Sequence, residues 1–255
     1  MVILSATLAA FVFINLIFLW SYLDKNLSHI DIGWGLMFVI ISGASFISQG
    51  YLEQHHIIYL YLIGAWGIRL SAYLFKRNHG KPEDTRYTEM REGWKGNPYV
   101  NAYYRVFLLQ MVLALLIMIP IYPLAHLSTF SFGILFYLGI TLWLIGFFFE
   151  AVGDYQKNKF KKDPSNKGKI CKVGLWKYTR HPNYFGEVTL WWGIWISMMP
   201  QIPIWTIIGP LLISFLILKV SGIPMLEEKK KDDPAFQKYM KETNAFFPWF
   251  PKKVD

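Results

Sequence analysis

The amino-acid sequence predicts an all-α integral membrane protein with seven transmembrane helices, its N-terminus outside and its C-terminus in the cytoplasm. Three observations carry that prediction. Of the 255 residues, 54% are hydrophobic and 18% aromatic, more apolar surface than a soluble domain of this length buries. The apolar residues fall in runs close to the ~20 that a helix needs to cross a bilayer core. The basic residues alternate between links. Residues 76–105 carry seven Lys and Arg, 154–185 nine and 222–255 seven, together 23 of 26, whereas 50–56, 127–131 and 200–201 carry none. Basic links stay cytoplasmic, so the alternation sets the orientation.

Taken in order, the expected spans are 2–20, 32–49, 57–75, 106–126, 132–153, 183–199 and 202–221. The first lacks a basic leader and a small-residue cleavage site, and reads as a retained helix rather than a signal peptide. Asp31 precedes Ile32-Gly33-Trp34-Gly35 and suits a cap for the second span, or an acid pointing into the bundle. Arg69 lies inside the third span. There it faces a cavity or a paired acid, or snorkels to the interface. Glu150 and Asp154 stand four residues apart at the cytoplasmic end of the fifth span, against the helix dipole, and so call for a ligand hydroxyl or a neighbouring Lys. Pro200, Pro203 and Pro210 interrupt the last two spans. With no repeat and no appended soluble segment, residues 1–255 read as a single membrane domain.

Orientation and attraction to anionic headgroups explain part of the formal net charge of +9. Membrane lipid is therefore an expected partner and nucleic acid is not. Acids interleaved in the same links, Glu83, Asp84, Asp154 and Asp163, also suit a polyanionic soluble ligand bound from the cytoplasm. A single cysteine, Cys171, excludes an internal disulfide, and the six histidines have no metal-ligand spacing, so no metal is expected. The dinucleotide fingerprint G-x-G-x-x-G, the P-loop and the G-x-S-x-G elbow are all absent. A nucleotide pocket here would have to be built from helix ends and loops.

Two stretches concentrate polar chemistry. In the loop Arg77–Tyr87, Gly80 and Pro82 break the helix, and Arg77, Lys81 and Arg86 can surround a phosphate, although such a loop taken alone is more often a solvated linker. In the stretch Gly174–Glu187, Tyr178, Arg180, His181, Asn183 and Glu187 gather at the start of a Trp-rich apolar helix. Polar groups at the mouth of a membrane helix are costly and point to a ligand site, the alternative being an interfacial helix cap whose charges snorkel to water. Pro182 suits the first helical position, which sets Asn183 and Glu187 on one face.

These two stretches, with Phe107–Gln110, Phe149-Glu150, Gly153-Asp154, Asn166–Lys169 and Val220-Ser221-Gly222, run in order from residue 77 to residue 222. On them the chain resembles a bacterial membrane family related to steroid 5α-reductases (3-oxo-5α-steroid 4-dehydrogenase-like). The resemblance implies a seven-helix fold with a cofactor-binding core over residues 76–255, holding NADPH on the cytoplasmic side of a bacterial inner membrane. Asp154, Lys161, Lys169, Asn183 and Glu187 would line the cofactor pocket, with Asn183 and Glu187 at the nicotinamide end. Arg77, Asn78, Lys81, Arg86, Tyr87, Glu150, Tyr178, Arg180 and His181 complete the expected cofactor set.

The implied reaction reduces the conjugated C=C bond of a lipophilic enone, a 3-oxo-4-ene steroid or similar lipid. Hydride from NADPH goes to the β carbon while an acid near the carbonyl handles the proton. Asp31 and Tyr73, with Arg69 orienting one of them, are the expected catalytic group; Trp34, Trp66 and Trp191 are the expected substrate wall. A monomer is compatible with this reading.

A rival class shares part of the pattern. Membrane isoprenylcysteine and phospholipid methyltransferases also carry Arg-His-Pro-x-Tyr-x-Gly, here Arg180 to Gly186. They also carry acids near Glu227 and Glu228, then a Tyr and a Pro corresponding to Tyr239 and Pro248. S-adenosylmethionine is a sulfonium without phosphate and has less use for the basic loops. A lipid- or sterol-binding scaffold without catalysis is the third reading.

Overall fold

The computed structural model describes residues Met1–Lys253, and every regular element among them is helical. Two compact units emerge from the internal packing. The first comprises residues 1–130 and 201–209, the second residues 131–200 and 210 onward.

In the first unit, α1 (Val2–Leu23) is apolar on all sides and stops at Asp24, ahead of Lys25 in the left-handed region. Helix α2 (His29–Ile47) starts at Ser28, so Asp31 sits in its first turn and is not the cap. Helix α3 (Gln54–Asn78) opens with a reciprocal box in which the Glu53 N–H donates to His56 Nδ1 at 3.1 Å. It closes at Gly80, whose φ of +71° explains the residue chosen there. The α2 and α3 backbones touch at Gly35 and Gly67, where a Cβ on either would strike the other's carbonyl oxygen. Small residues permit this approach, which is how helices associate without a hydrophobic driving force between them.

Asp84 caps the short α4 (Thr85–Glu92), accepting from the Arg86 N–H at 3.0 Å. Asn97 caps α5 (Pro98–Ile117), accepting from the Tyr99 and Val100 N–H groups, and Pro98 takes the first helical position. The fourth span therefore begins well before the expected 106 and ends at Ile117 rather than 126. Its polar, Tyr-rich first turns hide the start from hydropathy, and Pro120 prevents continuation. Residues Tyr103–Leu108 widen into a π turn, and the short α6 (Ile121–Leu124) follows.

In the second unit, α7 (Ile134–Lys162) and α8 (Pro182–Met198) pack antiparallel. Gly139, Gly146 and Gly153 are spaced by seven and meet Gly193, Gly186 and Pro182 in turn, so the two backbones run in contact along their length. Helix α7 does not end near 153 as expected but continues to Lys162. Glu150 and Asp154 thus lie within the helix, 2% and 5% exposed, and not at its C-terminal dipole. They lie beside Gly146 and Gly153, on the part of α7 that meets the start of α8.

Helix α9 (Ile204–Glu228) contains a π turn at Leu216–Val220, and α10 (Pro234–Glu242) follows the Asp233 cap. Among the described residues six helices are long and apolar enough to cross a bilayer: α1, α2, α3, α5, α7 and α9. The chain is an integral membrane protein. Helix α8, the expected sixth span, is apolar but has 17 residues.

Candidate functional site

The first unit builds a closed polar cluster around Asp31. Arg86 Nη2 donates to Asp31 Oδ2 at 2.6 Å, and the Tyr87 hydroxyl donates to Asp31 Oδ1 at 2.6 Å. Asp84 holds Arg86 from the other side, accepting from Nε at 3.0 Å and Nη2 at 3.2 Å. Burial alone would lower the Arg86 pKa, but the Asp31 and Asp84 carboxylates outweigh it and hold the guanidinium firmly charged. Burial, then the Asp31 carboxylate, pushes the Tyr87 phenol well above its usual value. Sequence spacing grouped Arg86 with Arg77 and Lys81 around a phosphate; in the structure its guanidinium serves Asp31 and Asp84.

Arg77, Asn78 and Lys81 line a different feature, a cleft of about 190 Å³ completed by Asn26, Ser28 and His29. Arg77 also lies 5.7 Å from the Tyr73 ring centroid. Arg69 is half-buried on α3, Trp34 stands edge-on to Phe38, and Trp66 is fully buried against the same ring. A larger cleft of about 590 Å³ runs between α1 and the start of α5, walled by Phe18, Tyr22, Tyr99, Tyr103 and Tyr104.

The second unit builds an open cluster at the mouth of α8. Arg180, 7% exposed, donates from Nε and Nη2 to the two Glu227 carboxylate oxygens at 2.9 and 3.0 Å, a bidentate pair. Its Nη1 donates to the Thr243 carbonyl and, at 3.2 Å, to that of Met240. His181 Nε2 lies 2.9 Å from Glu227 Oε1. A carboxylate only accepts, so Nε2 carries the hydrogen and Nδ1 presents a bare lone pair. Burial lowers the His181 pKa, against the pull of Glu227, which keeps the ring neutral.

That Nδ1 is buried and has no partner, and neither has the buried Oδ1 of Asn183, two residues on in the first turn of α8. Both are acceptors awaiting a donor. Glu187 follows one turn later, half-buried. Trp191, 4% exposed, lies one further turn along α8.

Residues 174–178 are tied to α7. Gln156 Oε1 accepts from the Leu175 N–H at 2.8 Å, and Trp176 Nε1 donates to the Gly153 carbonyl at 2.9 Å. Lys157 Nζ stands 4.2 Å from the Trp176 ring centroid. Lys161 and Lys169 are exposed, and Tyr178 is half-buried. The second unit thus gathers Glu150, Asp154, Lys161, Lys169, Tyr178, Arg180, His181, Asn183 and Glu187, while the first holds Asp31, Arg69, Tyr73, Arg77, Asn78, Lys81, Arg86 and Tyr87. Among the described residues no three His, Cys, Asp or Glu converge as metal ligands.

Two partners were invisible to spacing. Glu227, 46 residues from His181, entered the sequence reading only as a methyltransferase feature, although acids following an Arg-His pair were the available signal. Tyr87 was grouped with cofactor residues, and its bond to Asp31 arises only because α4 folds back on the start of α2.

Comparison with known proteins adds to this geometry. Residues 17–243 match the family described as "Protein of unknown function (DUF1295)". The chain belongs to that family. It is a steroid 5α-reductase-like family of membrane proteins. A curated relative, "Probable O-methyltransferase ustE" of Ustilaginoidea virens, is 40% identical over 53 residues, which is 21% of this chain and 18% of that protein. The match thus spans less than a fifth of the relative's length. No solved structure matches.

Proposed function

We propose that the protein is an NADPH-dependent reductase of the conjugated C=C bond of a lipophilic enone, with its cofactor held by the second unit at the cytoplasmic side. The observation that carries this reading is the pair of buried, partnerless acceptors, His181 Nδ1 and Asn183 Oδ1, at the mouth of α8. A carboxamide N–H group is a donor of the kind they lack, so the residues fit a nicotinamide. Family membership supports a reductase-like enzyme.

In this reading, His181, Asn183 and Glu187 orient the nicotinamide end, and Glu150 and Asp154 bind ribose hydroxyls. Tyr178 and Arg180 shape the pocket, while Lys161 and Lys169 engage phosphate. NADPH would supply the hydride. Arg77, Asn78 and Lys81 are assigned to a phosphate group in the first unit. Asp31, its carboxylate held by Arg86 and Tyr87, handles the proton, with Tyr73 and Arg69 addressing the ketone. Trp34 and Trp66 are proposed substrate contacts of the first unit, and Trp191 is one of the second. Helix α8 serves as the seventh span, since 17 residues rise roughly 25 Å, near the lower limit for a bilayer core.

Detergent-purified protein is expected to be protected from heat by NADPH and not by S-adenosylmethionine, and to consume NADPH when a 3-keto-4-ene steroid is added. Protection by S-adenosylmethionine alone would overturn the assignment. That second reading, methyl transfer, is favoured by one specific observation. The Arg180–His181–Glu227 cluster joins the Arg-His-Pro motif to a downstream acid, as the methyltransferase pattern does.

A further inference from the structure

The last described residues contain an exposed aromatic group. Phe247, Trp249 and Phe250 are 69%, 66% and 74% exposed, and Lys252 and Lys253 follow, both exposed. Three large aromatic side chains together in water are costly, so their level relative to the bilayer decides what they meet.

The second unit fixes that level. Helix α7 is apolar from Ile134 to Gly153 but for the buried Glu150, a rise of roughly 30 Å and the thickness of a hydrocarbon core. At Gly153 it touches Pro182 and Asn183, where apolar α8 begins. Beyond this contact α7 turns polar, with Asp154, Gln156, Lys157 and Asn158. One edge of the hydrocarbon layer therefore lies at the Gly153–Pro182 contact.

The tail is fastened at this edge. The Arg180 N–H donates to the Asn244 carbonyl at 2.9 Å, and the Trp249 N–H donates to the Tyr178 carbonyl at 2.9 Å. The Thr179 hydroxyl reaches the carbonyls of Ala245 and Phe246 at 3.1 and 2.8 Å. Phe185, in the first turn of α8, meets Phe246 and Phe247 at centroid distances of 5.6 and 6.2 Å. The Phe250 ring stands 5.9 Å from that of Tyr178.

We propose that residues 246–253 form a membrane-interface anchor. Phe247, Trp249 and Phe250 enter the headgroup layer, and Lys252 and Lys253 face anionic lipid. Aromatic rings favour this layer and lysines are attracted to acidic headgroups. Because the same tail backbone accepts from Thr179 and Arg180, lipid contact also steadies the Arg-His-Pro turn. The inference stands apart from the proposed reductase activity.

The single native cysteine makes the test direct. In a Cys171→Ser background, Phe250→Cys and, separately, Trp249→Cys carry an environment-sensitive fluorophore, with Asp232→Cys as the control in the exposed α9–α10 link. The proteins are placed in phosphatidylcholine vesicles with and without phosphatidylglycerol. Labels at 249 and 250 are expected to emit to the blue of the label at 232. Lipid carrying a nitroxide high on its acyl chain should quench them several-fold more strongly. Lys252→Gln with Lys253→Gln should remove the extra quenching that phosphatidylglycerol brings. Emission and quenching equal to the control would overturn the proposal. So would a blue shift without nitroxide quenching, which would mean that a protein surface covers the patch.

Discussion

The two units each centre an arginine on a carboxylate, and they finish the arrangement differently. Around Asp31, both oxygens are taken, one by Arg86 and one by Tyr87, and Asp84 secures the arginine. Around Glu227, Arg180 and His181 also take the carboxylate, but the far side of the histidine ends in a lone pair with no donor. A buried polar network gains stability when every member is satisfied. An unsatisfied member is a cost that a ligand can relieve. By this criterion the first cluster is satisfied within the protein, whereas the second keeps a buried acceptor without a donor.

That contrast can be broken most severely at the helix pair beneath the open cluster. Gly186→Leu forces a side chain into the α7 backbone at Gly146 and Glu150, and is expected to abolish the folded second unit. Limited proteolysis in detergent would show the loss, and native-like protection would show that the two helices can separate at small cost.

Next is Glu227→Ala, which leaves the Arg180 guanidinium buried without its carboxylate. Breaking such a pair costs about 3–5 kcal/mol, and the fall should appear in the thermal midpoint of the purified protein. Asp31→Asn in the closed cluster removes one charge-assisted partner from Arg86, yet Asp84 remains. A cost of about 1.5–3 kcal/mol is expected. If Asp31→Asn proves the more damaging of the two, the ranking of the clusters is reversed.

A smaller effect is expected from pH. The folded-state pKa of His181 lies below its unfolded value of 6.5, so the unfolded chain takes up the proton first. Stability should decline as pH falls through 6.5 and level off below the folded value. His181→Gln should flatten that part of the profile; an unchanged slope would exclude His181 as its source.

The smallest change in stability belongs to Asn183→Leu, because the lost oxygen has no partner to abandon. A thermal midpoint near the parent's, together with lost protection by NADPH, is the expected signature. A large drop in stability instead would make Asn183 a structural residue and close the second cluster as well.

Much of the candidate site was legible before the fold. Pro182 marked the helix start, and Asn183 and Glu187 fell one turn apart, as the structure places them. The identity of Glu227 as the shared partner was not legible, because 46 residues of chain separate it from His181 and no period links them. The same holds for Arg86, whose neighbours in sequence suggested a phosphate while its neighbours in space include Asp31. Helix limits failed in a similar way. Tyr-rich polar turns at the start of α5 and the lysine-studded end of α7 carry no hydropathy signal, so their helical state depends on caps and packing.

By itself the sequence determined that this is a helical membrane protein, because runs of apolar residues can satisfy their backbone groups in lipid only as helices. It also determined where the polar residues cluster along the chain. Which of these side chains are spent on each other, as Arg86 is on Asp31, and which keep a bare acceptor, as His181 does, depends on contacts made in the folded chain. Hydrogen bonds between distant residues depend on which helices meet: the glycine ladder brings α7 to α8, and the return of α4 brings Arg86 to Asp31.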